Sequence, residues 1–91
     1  MSTQLTFTKG SAWFMSEEIT DTLTAIELTF AQEERKDNEI IIEGSLSGDN
    51  FQTLAWIKTD DTTIVRTISN PTEGLIIRIK TRSEPQTAYY L

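Results

Sequence analysis

The chain contains no cysteine and no histidine. Without cysteine there is no disulfide, no thiolate nucleophile and no cysteine metal site. Without histidine the commonest general base, transition-metal ligand and pH switch are all missing. No apolar run reaches the roughly 20 residues that a membrane-spanning helix needs. The first 15 residues, with Lys9 as their one charge, have no apolar stretch resembling a signal-peptide core. These absences lead us to expect a chain that stays in the cytosol or is assembled there into something larger, with no membrane contact. Basic charge is also scarce, 8 Lys and Arg against 14 Asp and Glu for a net charge of -6, so nucleic acid is not an expected partner.

The 91 residues suffice for one domain, taken here as 1–91. A domain this small has modest stability, and a partner covering one face would raise it. Threonine and isoleucine, both β-branched, are abundant, and such side chains pack well on a pleated sheet. Leu75, Ile77 and Ile79 alternate with Ile76, Arg78 and Lys80, the pattern of a half-buried strand. Ile40, Ile42, Gly44 and Leu46 share one face of another strand, with Ile41 and Glu43 opposite. Ile64 and Ile68 are the expected core positions of a strand near Thr62–Ser69. Residues 19–30 fit either helix or strand, because Ile19, Leu23, Ile26 and Phe30 have helical spacing while Thr24, Ile26, Leu28 and Phe30 alternate. Threonines at 20, 22, 24 and 29 favour strand. Gln32–Asn38 reads as a hairpin loop, and Ser47–Asn50, Asp60-Asp61 and Asn70–Gly74 as turns. With Gln4–Thr8 and Thr87–Leu91 as terminal strands, the expectation is an all-β fold, a single antiparallel β-sandwich of about seven strands.

The remaining catalytic side chains are carboxylates, serines and lysines. Glu17-Glu18, Glu33-Glu34 and Asp60-Asp61 are adjacent pairs, and neighbours on a strand point to opposite faces, which makes them poor acid/base dyads. Loop carboxylates such as Asp37 with Glu39, or Asp49 with Asp60 and Asp61, are the only candidate calcium ligands, and they lack EF-hand spacing. Gly48 has neither the lysine nor the following helix of a phosphate loop. No catalytic residue, metal or cofactor is assigned, and the chain is expected not to be an enzyme.

Interaction is the alternative. Residues 62–91 hold four bases, Arg66, Arg78, Lys80 and Arg82, against two acids; they form either a solvated face or a patch for an acidic neighbour. Most aromatics are expected in the core. Trp56 is read mainly as core and Trp13 as core or interface; an exposed tryptophan can stack on a sugar or anchor a protein contact. Tyr89, Tyr90 and Leu91 form an apolar end, tied down either as the last strand or on a neighbour.

The stretch Ile-Ile-Ile-Glu-Gly-Ser-Leu-Ser-Gly-Asp-Asn-Phe from Ile40, followed later by Gly74-Leu75-Ile76-Ile77-Arg78-Ile79, resembles the small β-sandwich virion proteins of tailed bacteriophages over about residues 40–80. Ser45, Gly48, Asp49, Asn50 and Phe51 match the turn; such relatives more often carry tryptophan at the position of Phe51 and the order Asp-Gly for Gly48-Asp49. In that family the turn is structural, its polar side chains closing the loop over the aromatic. The resemblance implies a virion location and an auxiliary capsid (decoration), head-fibre or tail accessory role, with other virion proteins such as the major capsid protein, or the chain itself as a homo-oligomer, as partners. Discoidin-like carbohydrate-binding sandwiches share a similar turn, so a glycan site using Trp13 or Trp56 with Asp49 and Asn50 is the competing expectation.

Overall fold

A computed structural model describes residues 2–32, 38–68 and 71–91. Among them are nine strands and no α-helix: β1 (Thr3–Gln4), β2 (Phe7–Lys9), β3 (Phe14–Ser16), β4 (Ala25–Thr29), β5 (Asn38–Ser45), β6 (Gln52–Thr59), β7 (Thr63–Thr67), β8 (Ile76–Thr81) and β9 (Thr87–Tyr90). They form two antiparallel sheets, a four-stranded one in the order β1-β9-β4-β7 and a five-stranded one in the order β2-β3-β8-β5-β6. The architecture is the expected all-β sandwich. The strand count exceeds seven because the first segment divides, β1 pairing with β9 in one sheet and β2 with β3 in the other, and because β3 is itself a strand the sequence had not suggested. Buried Leu5 sits at the crossing and ties its N–H to the Ala88 carbonyl at 2.8 Å.

Residues 25–29 are strand, as the threonines indicated. β4 lies between β7 and β9 and buries Ile26 and Leu28, leaving Glu27 exposed. Facing them, Ile40 and Ile42 of β5 and Ile77 and Ile79 of β8 supply the five-stranded sheet's half of the core, joined by Ile19, Leu23, Phe30, Ile64 and Ala88. Ile68 and Leu75 pack against this cluster from its margin. The expected inward run of β5 ends early, since Leu46 lies past the strand and is 76% exposed.

Two irregularities shape the five-stranded sheet. The β5–β6 register shifts at Ile42/Glu43, leaving Leu54 as an extra residue on β6. Leu54 then covers Gly44, where a Cβ would lie 2.7 Å from its Cδ1. The β5–β6 turn is closed by serines: Ser45 Oγ accepts the Gly48 N–H at 2.9 Å, and Ser47 Oγ accepts the N–H groups of Asp49 and Asn50 at 3.1 and 3.4 Å. Gly48 has φ 86° there, a left-handed conformation that suits glycine. Of the expected Gln32–Asn38 loop, 33–37 lie outside the described residues and Asn38 already opens β5; of the Asn70–Gly74 turn, residue 70 lies outside them.

The chain end is the last strand. Leu91 donates its N–H to Ala25 O at 2.9 Å, and its carbonyl accepts from Thr24 N and Oγ1 at 2.6 and 2.7 Å. Tyr90 packs on the core and donates its hydroxyl to Asp21 Oδ2 at 3.1 Å. Removal from water, and next the Asp21 carboxylate, raise the Tyr90 phenol above its ordinary value of 10.0.

Candidate interaction surface

Because Ile40, Ile42, Ile77 and Ile79 point inward, the alternate residues of β5 and β8 line the outer face of the five-stranded sheet. Antiparallel register sets Thr8, Met15, Lys80, Ile41 and Trp56 in one row across all five strands. One row along, the Arg82 N–H bonds the Glu39 carbonyl at 3.0 Å, and Glu39 in turn lies opposite Lys58. In the opposite direction, Arg78 lies across from Glu43 and Glu43 from Thr53.

Glu39 links the two tryptophans. Its Oε2 accepts the Trp56 indole N–H at 2.8 Å and its Oε1 accepts Arg82 Nε at 3.2 Å. The Arg82 guanidinium lies 4.1 Å from the centre of the Trp13 ring, with Lys80 Nζ at 5.7 Å. Lys58 Nζ is 5.4 Å from the Trp56 ring centre. The Trp56 hydrogen bond, then the Arg82 contact, hold the Glu39 carboxyl below its ordinary 4.5 despite some desolvation. Glu43, only 7% exposed, gathers a second cluster: Arg78 Nε donates to its Oε1 at 2.7 Å, and Lys80 Nζ lies 3.5 Å from its Oε2. Arg78 also covers the Phe51 ring, its Cζ 3.9 Å from the centroid. Cation–aromatic contacts of this kind contribute about 0.5–1 kcal/mol each at exposed positions, and together they restrict long side chains that would otherwise sweep solvent.

Several expectations are revised by this arrangement. Trp56 is not core; it stands on the outer face at 60% exposure. Trp13 is half-buried, under Arg82. Arg78, Lys80 and Arg82 are brought together, but as ion pairs with Glu43 and Glu39 rather than as a uniformly basic patch. Arg66 is separated from them, on β7 of the other sheet. Tyr89, Tyr90 and Leu91 also belong with that other sheet. Asp49 and Asn50 lie in the β5–β6 turn, near the Ile76 end of β8, whereas Trp13 lies at the Arg82 end. That separation is roughly 20 Å, from about 3.3 Å per strand residue, so the turn and Trp13 make no joint sugar site. Phe51 packs against Arg78 on the outer face. Asp49 and the Asp60-Asp61 pair flank opposite ends of β6; Asp37 lies outside the described residues, among which no three acidic side chains converge as a metal site.

Met15 had not been singled out from sequence, Glu39 had been considered only as a loop carboxylate for calcium, and Ile41 and Glu43 only as the face of a strand opposite Ile40 and Ile42. A usable signal existed: Glu39 and Glu43 have the same four-residue spacing as Arg78 and Arg82, so one antiparallel register matches both pairs. Beside Trp13 a groove of about 600 Å³ is lined by Thr6, Thr8, Met15, Glu17 and Lys80 among others. Comparison with protein-family models, curated proteins and solved structures gives no match for this chain.

Proposed function

We propose that this chain is a non-enzymatic virion structural protein, an auxiliary capsid protein of a tailed phage that docks on a larger capsid subunit through the outer face of its five-stranded sheet. The observation that carries the reading is the Trp13–Arg82–Glu39–Trp56 chain of contacts on that face. Tryptophan and arginine dominate the energetics of protein interfaces, and side chains already held in place lose less entropy on binding. The resemblance of residues 40–80 to phage sandwich proteins supports the virion setting. Mass spectrometry of purified particles tests it: the chain is expected in stoichiometric amounts, released when Trp13→Ala and Arg82→Ala are combined. Its absence from virions would refute the assignment.

A second reading, a glycan-binding module, is favoured by the groove beside Trp13, where an aromatic ring meets threonine hydroxyls, Glu17 and Lys80. A glycan array discriminates the two. Hits that disappear with Trp13→Ala support sugar binding; an array with none removes it.

A further inference from the structure

Each sheet has two terminal strands, and β1 and β2 are only two and three residues long. β6 and β7 are terminal strands of their respective sheets, and residues of both line a shared apolar cavity of about 350 Å³ that includes Leu54, Ala55, Ile68 and Leu75. Among the described residues β6 is paired on one side only, by β5. It is eight residues long, and it exposes Leu54 at 53% and Trp56 at 60%, with Val65 of neighbouring β7 at 62%. A long edge with apolar side chains is a template for another strand, because one row of its backbone N–H and C=O groups has no partner in the sheet. Proteins that keep such an edge single usually blunt it with proline, a short strand, a bulge or charges, often several together. β6 has only the bulge at Leu54 and Lys58.

We propose that β6 pairs antiparallel with β6 of a second copy of this chain across a two-fold axis at Ile57. The register follows from three features. The bulge confines regular strand geometry to 55–59, whose midpoint is Ile57. Side-chain parity then matches, since Ala55 and Ile57 face the core side while Trp56 and Lys58 face outward. Finally, each Trp56 falls opposite the Lys58 of the other copy, an aromatic–cation pair made twice, and no two like charges are opposed. The two five-stranded sheets become one continuous ten-stranded sheet, with both outer faces on the same side. This inference does not depend on the virion or glycan reading.

Sedimentation equilibrium of the full chain, combined with single-cysteine cross-linking on its cysteine-free background, tests the pairing. The mass is expected to approach twice 10.3 kDa as concentration rises, and Trp56→Lys should weaken association about tenfold or more by opposing two lysines on each side of the axis. Under mild oxidation, Trp56→Cys and Lys58→Cys should cross-link when mixed and not when alone, because directly opposed residues lie within disulfide reach. Both positions point to solvent, so folding should survive; circular dichroism checks it. A chain that stays at 10.3 kDa to its solubility limit overturns the proposal. So does Trp56→Cys cross-linking to itself, which requires a two-fold at Trp56.

Discussion

Replacing Ser16 by alanine should destabilise the fold well beyond what loss of one oxygen atom suggests. β3 matches β8 at Phe14↔Thr81 and Met15↔Lys80, and pairing resumes at Ile19↔Ile77 with the register shifted by one. In the gap the Ile79 N–H has no strand carbonyl to meet. Ser16 Oγ takes that role, accepting the Ile79 N–H at 2.9 Å while donating to the Glu17 carbonyl at 2.9 Å. Ser16 is 6% and Ile79 0% exposed, so water cannot readily substitute. Ser16→Ala leaves a buried donor unsatisfied, at a cost of about 1–3 kcal/mol. Against a total stability on the order of 5–14 kcal/mol for a chain of this length, that is a substantial fraction. At about 4–8 °C per kcal/mol the melting temperature should fall by roughly 4–24 °C. Urea unfolding monitored by circular dichroism should show a lower midpoint with unchanged slope, and the Ile79 amide should lose protection from hydrogen exchange. Exposed Ser11→Ala is the control, expected within about 0.5 kcal/mol of the parent. A Ser16→Ala loss below about 0.5 kcal/mol would refute the claim that this hydroxyl completes the sheet.

Leu28→Ala, at a site 0% exposed between the sheets, should cost about 2–5 kcal/mol, whereas Val65→Ala on the exposed side of β7 should stay within about 0.5 kcal/mol; paired denaturation curves check both. The Glu39 carboxyl is held below 4.5 chiefly by the Trp56 hydrogen bond, so its contribution to stability is present above that value and disappears as pH falls through the lower folded value. In a Trp13→Phe background, Trp56 fluorescence should therefore titrate with a midpoint below 4.5, and Glu39→Gln should abolish that transition. For Tyr90 the sign is opposite. Its phenol is raised above 10.0 by burial and then by Asp21, so its stabilising contribution is complete below pH 10 and is lost as pH rises through the folded value. Ultraviolet titration should find a phenol ionising above 10.0, and Asp21→Asn should shift it downward.

The sequence by itself determined the fold class, the inward set Ile40, Ile42, Ile77 and Ile79, and the turn at Ser47–Asn50; for 25–29 it favoured strand over helix without deciding between them. The physical basis is local: alternation dictates which side chains share a face, and β-branched residues together with serine and glycine punctuation bias the backbone before any long-range contact forms. The splitting of the first segment between two sheets was not legible, because nothing within Thr3–Lys9 distinguishes the strand that meets β9 from the strand that meets β3. Trp56 was misplaced for the same reason. Alternation in β6 leaves open which set faces inward, and the bulge at Leu54 changes the parity partway along. The candidate surface required tertiary structure most of all. Glu39 and Trp56 lie on β5 and β6, while Trp13 immediately precedes β3 and Arg82 immediately follows β8, and only the order β3-β8-β5-β6 brings them onto one face. The charge matching of Glu39 and Glu43 with Arg82 and Arg78 was written in the residue spacing, but it acquires meaning only when two strands some 40 residues apart become neighbours. Whether a strand is central or at an edge is decided by which partners the whole chain supplies, and among the described residues that leaves β6 paired on one side only.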